Sequence, residues 1–127
     1  MSGIVAIVDD YVPLLDSLRR LLEAEGHEVL TYASPASFLA DRGHPPACLI
    51  VDYNMPGMTG LELVARLRQE GSKIPVLLTT GMLSPRVVEC ATRVGVEAVL
   101  EKPAEPDALL RFVNEYGQSS SARTLSS

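Results

Sequence analysis

Ala47-Cys48-Leu49-Ile50-Val51-Asp52-Tyr53-Asn54-Met55-Pro56-Gly57-Met58-Thr59-Gly60 is the stretch that decides how this chain folds. A short, unbroken apolar run ends on an acid and passes into a turn-rich segment. Runs of this kind read as strands buried on both faces, as in a parallel sheet. The design recurs three times. Ile4-Val5-Ala6-Ile7-Val8 ends on Asp9 and Asp10, Val76-Leu77-Leu78 on Thr79 and Thr80, and Ala98-Val99-Leu100-Glu101 on Lys102 and Pro103. Side chains at the carboxyl ends of parallel strands meet in the crevice where open α/β sheets bind ligands. Three acids, a hydroxyl and an amine converge there.

Outward from these strands, helical and extended patterns alternate. Strands are expected over Ile4–Val8, Glu28–Tyr32, Ala47–Val51, Val76–Thr79 and Ala98–Leu100. The first helix runs from about Val12 to Glu25, with Pro13 in its first turn and Gly26 as its stop. Leu14, Leu15, Leu18, Leu21 and Leu22 form its inner face. Ser34-Pro35 opens a short second helix through Phe38 and Leu39, and Gly43 to Pro46 is a loop. Helix three follows Gly60 with Leu63, Val64 and Leu67 inward. Helix four follows Ser84-Pro85 with Val87, Cys90, Ala91 and Val94 inward. Helix five starts near Pro106 with Leu109, Phe112, Val113 and Tyr116 inward, and ends at Gly117. Five βα units with short, right-handed connections require a doubly wound α/β fold. The order 2-1-3-4-5 suits this length and sets strands one and three side by side, joining Asp9, Asp10 and Asp52. One domain is expected over residues 1–117, with residues 118–127, serine-rich and without periodicity, as a disordered tail or the start of a linker.

Composition narrows the function. A net charge of −5 argues against nucleic acid as a direct partner. No apolar stretch is long enough for a membrane span. Met1-Ser2-Gly3 leads straight into a strand, so no signal peptide is expected and the protein reads as cytoplasmic. Cys48 and Cys90 read as reduced core residues rather than a disulfide framework, and His27 and His44 as surface residues, not ligands. The chemistry lies in the acids. Clustered carboxylates repel unless a cation neutralises them, and hard oxygen donors suit Mg²⁺. A carboxylate can also attack phosphorus, and a lysine and a hydroxyl such as Lys102 and Thr80 would stabilise the spread charge of that transfer.

Val8-Asp9-Asp10, Val51-Asp52 through Gly60, Thr79-Thr80-Gly81 and Glu101-Lys102-Pro103 stand in an order and spacing that resembles the receiver domain of two-component response regulators. The resemblance covers about Ile4 to Tyr116. It implies that Asp52 is the phosphoacceptor, supplied by a sensor histidine kinase or a phosphotransfer protein. It implies Asp10 as a direct Mg²⁺ ligand, Asp9 as one acting mainly through water, and Asp52 and the backbone carbonyl of Asn54 as the remaining protein ligands. Thr80 would be the switch hydroxyl, Lys102 the active-site lysine, and Lys102–Pro103 a cis peptide. Such a protein catalyses only its own phosphotransfer and autodephosphorylation, then changes a surface that engages an output partner or a second copy of itself. Two positions depart from the family pattern. Val99 stands where an aromatic side chain usually reports activation, and Tyr11 where many relatives carry a third acid or its amide.

Other readings compete. Asp9 and Asp10 could only cap a helix, and Thr79 and Thr80 could only finish a strand. A haloacid-dehalogenase-type phosphatase needs a second acid two positions after its nucleophile, where this chain has Asn54. A phosphorylation-independent interaction module on the same fold is the main alternative, favoured only by Val99.

Overall fold

A computed structural model describes residues 3–41, 43 and 45–117. The expected tail and His44 lie outside the described residues. Five strands and five helices alternate: β1 (Ile4–Val8), α1 (Val12–Ala24), β2 (Glu28–Tyr32), α2 (Pro35–Ala40), β3 (Cys48–Asp52), α3 (Gly60–Gln69), β4 (Val76–Thr80), α4 (Pro85–Arg93), β5 (Ala98–Glu101) and α5 (Pro106–Tyr116). The sheet has the order β2-β1-β3-β4-β5, and every pairing is parallel. The last three strands each end one residue later than expected. Asp52, Thr80 and Glu101 therefore belong to the ladders rather than to the loops.

The pleat sorts side chains by parity. Ala6, Val8, Leu49, Val51, Val76 and Leu78 pack in one core layer with Leu63, Val64 and Leu67 of α3 and Ala91 of α4. Val5, Ile7, Cys48, Ile50 and Leu77 pack in the other, with Leu15 and Leu22 of α1 and Leu109, Phe112 and Val113 of α5. Continuing each strand by the same alternation puts Asp9, Asp52, Thr79 and Lys102 on the α1/α5 side. It puts Thr80 and Glu101 on the α3/α4 side.

Helix ends follow their residues. Thr59 and Glu62 close a reciprocal cap on α3: Thr59 Oγ1 accepts from Glu62 N at 3.1 Å, and Glu62 Oε1 accepts from Thr59 N at 2.8 Å. Ser34 and Ser84 cap α2 and α4 through the backbone amides of Ser37 and Val87. The Arg68 guanidinium ties the ends of two helices together by donating to the carbonyls of Ser72, Ile74, Val94 and Gly95.

Two expectations need correction. Cys90, expected to face inward on α4, is half-buried and belongs to neither core layer. Ala91 is the one fully buried residue of that helix, because α4 touches the sheet along a narrow stripe. His27, expected at the surface, is half-buried: its Nε2 pairs with Asn114 Oδ1 at 3.0 Å, and its Nδ1 is buried without a partner. The contact joins the α1–β2 turn to α5.

Gly60 is the closest backbone approach near the end of β3. A Cβ there would lie 2.4 Å from the Asp52 carbonyl oxygen and 3.0 Å from Leu78 Cδ1. Both neighbours are buried, so neither can give way cheaply. Gly60→Ala is expected to destabilise the protein by about 1–3 kcal/mol in urea unfolding. A variant as stable as the wild type would mean that α3 can slide outward from Asp52.

Candidate functional site

At the carboxyl edge of the sheet, β1 and β3 are in register with Val8 opposite Val51, so the next residues, Asp9 and Asp52, are neighbours. Both carboxylates are almost wholly buried, with relative exposures of 3% and 4%. Asp10, which follows on the loop, is exposed. One carboxylate oxygen from each of Asp9, Asp10 and Asp52 falls within 4.8 Å of the others. Lys102, from the end of β5, reaches over β4 to the same point. Its Nζ lies 2.9 Å from Asp9 Oδ2 and 3.2 Å from Asp52 Oδ1. The Lys102–Pro103 peptide is cis. Asp9 Oδ1 also accepts from the Tyr11 backbone amide at 2.9 Å, which orients that carboxylate at the start of α1.

The electrostatics follow from burial. Desolvation and the neighbouring Asp9 charge raise the Asp52 pKa above its ordinary 3.8; Lys102 and the Asn54 backbone amide oppose them without cancelling them. Burial pulls the Lys102 pKa down, but hydrogen bonds and charge from Asp9 and Asp52 outweigh it, so the value ends above 10.5. A divalent cation fits this donor set. The ligands are carboxylate oxygens, the ammonium balances only one of three negative charges, and exposed Asp10 leaves a side open to water.

Thr80 is placed differently from the acids. Its side chain is buried on the α3/α4 side, where Oγ1 donates to the Met82 carbonyl at 3.2 Å and accepts from the Met82 amide at 3.3 Å. The hydroxyl is thus engaged with the β4–α4 loop. Val99 is partly buried against the α3/α4 core layer. Glu101 is the residue that sequence reasoning passed over: its Oε2 accepts from the Leu83 amide at 3.0 Å and holds the same loop from β5. Strand parity was the available signal, since a residue next to Lys102 must face the opposite side. The acidic edge is bordered by exposed Tyr11 and Val12 on one flank and by exposed Met82 and Leu83 on the other.

Comparison with known proteins agrees with this arrangement. A profile of the response regulator receiver domain matches residues 5–114. The transcriptional regulatory protein FixJ of Bradyrhizobium diazoefficiens is 33% identical over 88% of this chain, and the chain spans 55% of FixJ's length. Among solved structures, the FixJ N-terminal fragment superposes with a TM-score of 0.81 at 30% identity, covering 90% of this chain and 92% of that one. A CheY-like receiver domain protein from Methanospirillum hungatei gives 0.83 at 28% identity, covering 91% and 93%.

The two charged partners set opposite responses to pH. Because the Asp52 pKa is raised by folding, ionising Asp52 costs stability, and the cost grows as pH climbs from 3.8 through the raised value. Asp52→Asn should therefore melt a few degrees above the wild type at pH 7 without metal, with the gap closing as pH falls toward 3.8. Lys102 contributes stability below pH 10.5 and loses it as pH rises through its raised value. Lys102→Met should cost about 3–5 kcal/mol at pH 7, because two buried carboxylates are left uncompensated. Thermal melts of both variants across pH 3 to 11 test this; an Asp52→Asn protein less stable than the wild type at pH 7 contradicts it.

Proposed function

The chain belongs to the response regulator receiver domain family, and from that premise we propose that it is a phosphoacceptor switch in which Asp52 takes a phosphoryl group from a histidine kinase. One observation carries the reading: a single ammonium, Lys102 Nζ, spans two buried carboxylates, while the third acid stays open to solvent. A structural ion pair needs one acid. The surplus of negative charge serves a site that expects a cation and then a phosphoryl group.

The transfer follows from the chain's own groups. An Asp52 carboxylate oxygen attacks phosphorus, forming an acyl phosphate as the donor's P–N bond breaks, and the electron pair leaves with the imidazole. Lys102, freed from Asp52 as that oxygen becomes esterified, donates to one phosphoryl oxygen. Asp9 keeps the ammonium on station through its own 2.9 Å contact. Magnesium, with Asp9, Asp10, Asp52 and the Asn54 carbonyl as donors, would neutralise the acids and a second phosphoryl oxygen. Thr80 supplies the third contact by releasing Met82 and turning its hydroxyl toward Asp52.

That release also supplies the output. Thr80 and Glu101 hold the loop that leads into α4, at Met82 and Leu83. Drawing Thr80 away removes one of the two restraints, so the loop from Gly81 to Pro85 and the face made by α4, β5 and α5 rearrange, including Arg86, Val99 and Arg111. Val99 has no ring to swing, so backbone movement carries the signal. The surface so altered engages an output partner or a second copy of the chain. The alternative, an interaction module that works without phosphate, draws on Val99 alone.

Acetyl phosphate with Mg²⁺ should place one hydroxylamine-labile phosphate on the wild type, read by intact mass, and none on Asp52→Asn. Lys102→Met should lower the yield, and Thr80→Ala should leave phosphorylation intact while suppressing the loop's NMR shifts. Equal labelling of Asp52→Asn would refute the assignment, and labelling without any shift in the loop would support the phosphate-independent module.

A further inference from the structure

A cavity of about 460 Å³ lies beneath the acidic edge, between the sheet and helices α1 and α5. Leu14 and Leu18 of α1, Ile50 of β3 and Leu109 of α5 line it, and exposed Tyr11 and Pro103 stand at its rim. Ala104, directly after the cis peptide, contributes only a methyl group to its wall. Its polar end is formed by Asp9, Asp52, Lys102 and Thr79. Thr79 is 95% buried, at 5% exposure, and its hydroxyl makes no hydrogen bond among the described residues. Parity turns that hydroxyl to the α1/α5 side, away from the loop that engages Thr80. A hydroxyl that no described protein group engages, on the wall of an apolar cavity, is the kind of polar group that fixes a ligand's orientation.

We infer that this cavity is a binding site for a small uncharged molecule with an apolar body and one hydroxyl, a simple phenol in chemical class. The size is that of small-molecule sites, roughly 300–1,000 Å³. The apolar walls offer water few partners, so a hydrocarbon body gains by entering. The polar end selects the head group. Two carboxylates face one ammonium there, with Asp10 nearby, so an anionic head is repelled. A cationic head would compete with Lys102 for both acids. A hydroxyl can accept from Thr79 and donate to a carboxylate lone pair that Lys102 and the Tyr11 amide leave open. The inference does not rest on the phosphoacceptor reading: binding depends on the cavity, and it stands or falls whether or not Asp52 is ever phosphorylated.

The probe is 4-ethylphenol, titrated into the whole chain and followed by methyl and amide NMR shifts. Saturable shifts are expected at Leu14, Leu18, Ile50 and Leu109, with a dissociation constant on the order of 0.1–1 mM for a ligand of this size. Charged 4-ethylbenzoate should bind about tenfold more weakly or not at all. Ala104→Leu fills the wall and should weaken 4-ethylphenol about tenfold while raising the melting temperature. If Ala104→Leu does not fold, Leu14→Phe obstructs the cavity from α1 and serves the same purpose. Thr79→Val should weaken 4-ethylphenol several-fold but leave ethylbenzene unchanged. Shifts that do not saturate, shifts confined to residues outside the cavity, or a folded Ala104→Leu or Leu14→Phe protein that binds as the wild type does would each overturn the site. Failure of Asp52 to label with acetyl phosphate alongside normal binding would count against the phosphoacceptor reading only.

Discussion

Two like charges buried at the ends of adjacent strands are the constraint around which the rest of this structure is arranged. Parallel pairing of β1 with β3 leaves no freedom: once Val8 sits opposite Val51, the acids that follow must be neighbours. Unit charges about 4 Å apart at an effective dielectric near 20 interact by about 4 kcal/mol, a large fraction of a small domain's stability. One ammonium from β5, two strands away, offsets that repulsion. It reaches both carboxylates only because the sheet twists and β4 carries a short hydroxyl side chain, Thr79, on the intervening strand. The order of strands, the residue types at three strand ends and the position of Lys102 are thus one requirement rather than three.

The residual imbalance is the site's main electrostatic feature. Lys102 is doubly engaged, yet the Asp52 pKa remains raised, because burial and the Asp9 charge together exceed the ammonium's pull. A site built for stability alone would carry one acid per base or none, since hydrophobic replacements of buried ion pairs are often at least as stable. Here the surplus acid, Asp10, stands on the solvent side. A bound cation would relieve electrostatic strain of this kind, so affinity for such an ion and the strain among the acids would have one source.

Much of this is legible in the sequence. Buried parallel strands are unbroken apolar runs, and the runs ending at Val8, Val51, Leu78 and Leu100 set the element order and the strand order once right-handed crossovers were imposed. The gathering of the acids followed from adjacency of β1 and β3. Strand ends were less legible because Asp52, Thr80 and Glu101 look like loop residues by composition while their backbones still pair. The exposure of Cys90 is not legible in sequence, because a helix with only a narrow buried stripe satisfies a helical apolar pattern without burying all of it. The burial of His27 is not legible either, because its partner, Asn114, is distant in sequence. The cavity could not be read at all. It depends on how far α1 and α5 stand apart, and a small residue at position 104 has no meaning in sequence until both helices are in place.

The two threonines at the end of β4 show how one strand can serve two sides of the molecule. Thr79 and Thr80 are chemically identical and adjacent, yet the pleat sends one toward the α1/α5 cavity and the other toward the loop before α4. Lys102 and Glu101 make the same split on β5, the base toward the acids and the acid toward Leu83. The charged groups gathered around Asp52 therefore lie on one face, and the two side chains that hold the loop lie on the other. In the proposed switch only Thr80 has to change faces. The helix it releases is held to the core by a single fully buried residue and is fastened at its far end by Arg68. A helix anchored at its C-terminal end and latched by two hydrogen-bonded contacts at its start has little burial to lose when one latch opens. Each latch is worth about 1 kcal/mol, and two states separated by a few kcal/mol are what a phosphoryl group's differential contacts can reverse. A large aromatic side chain packed beneath that loop would add a further contact to either state. With Val99 in its place, the balance rests on Thr80 and Glu101.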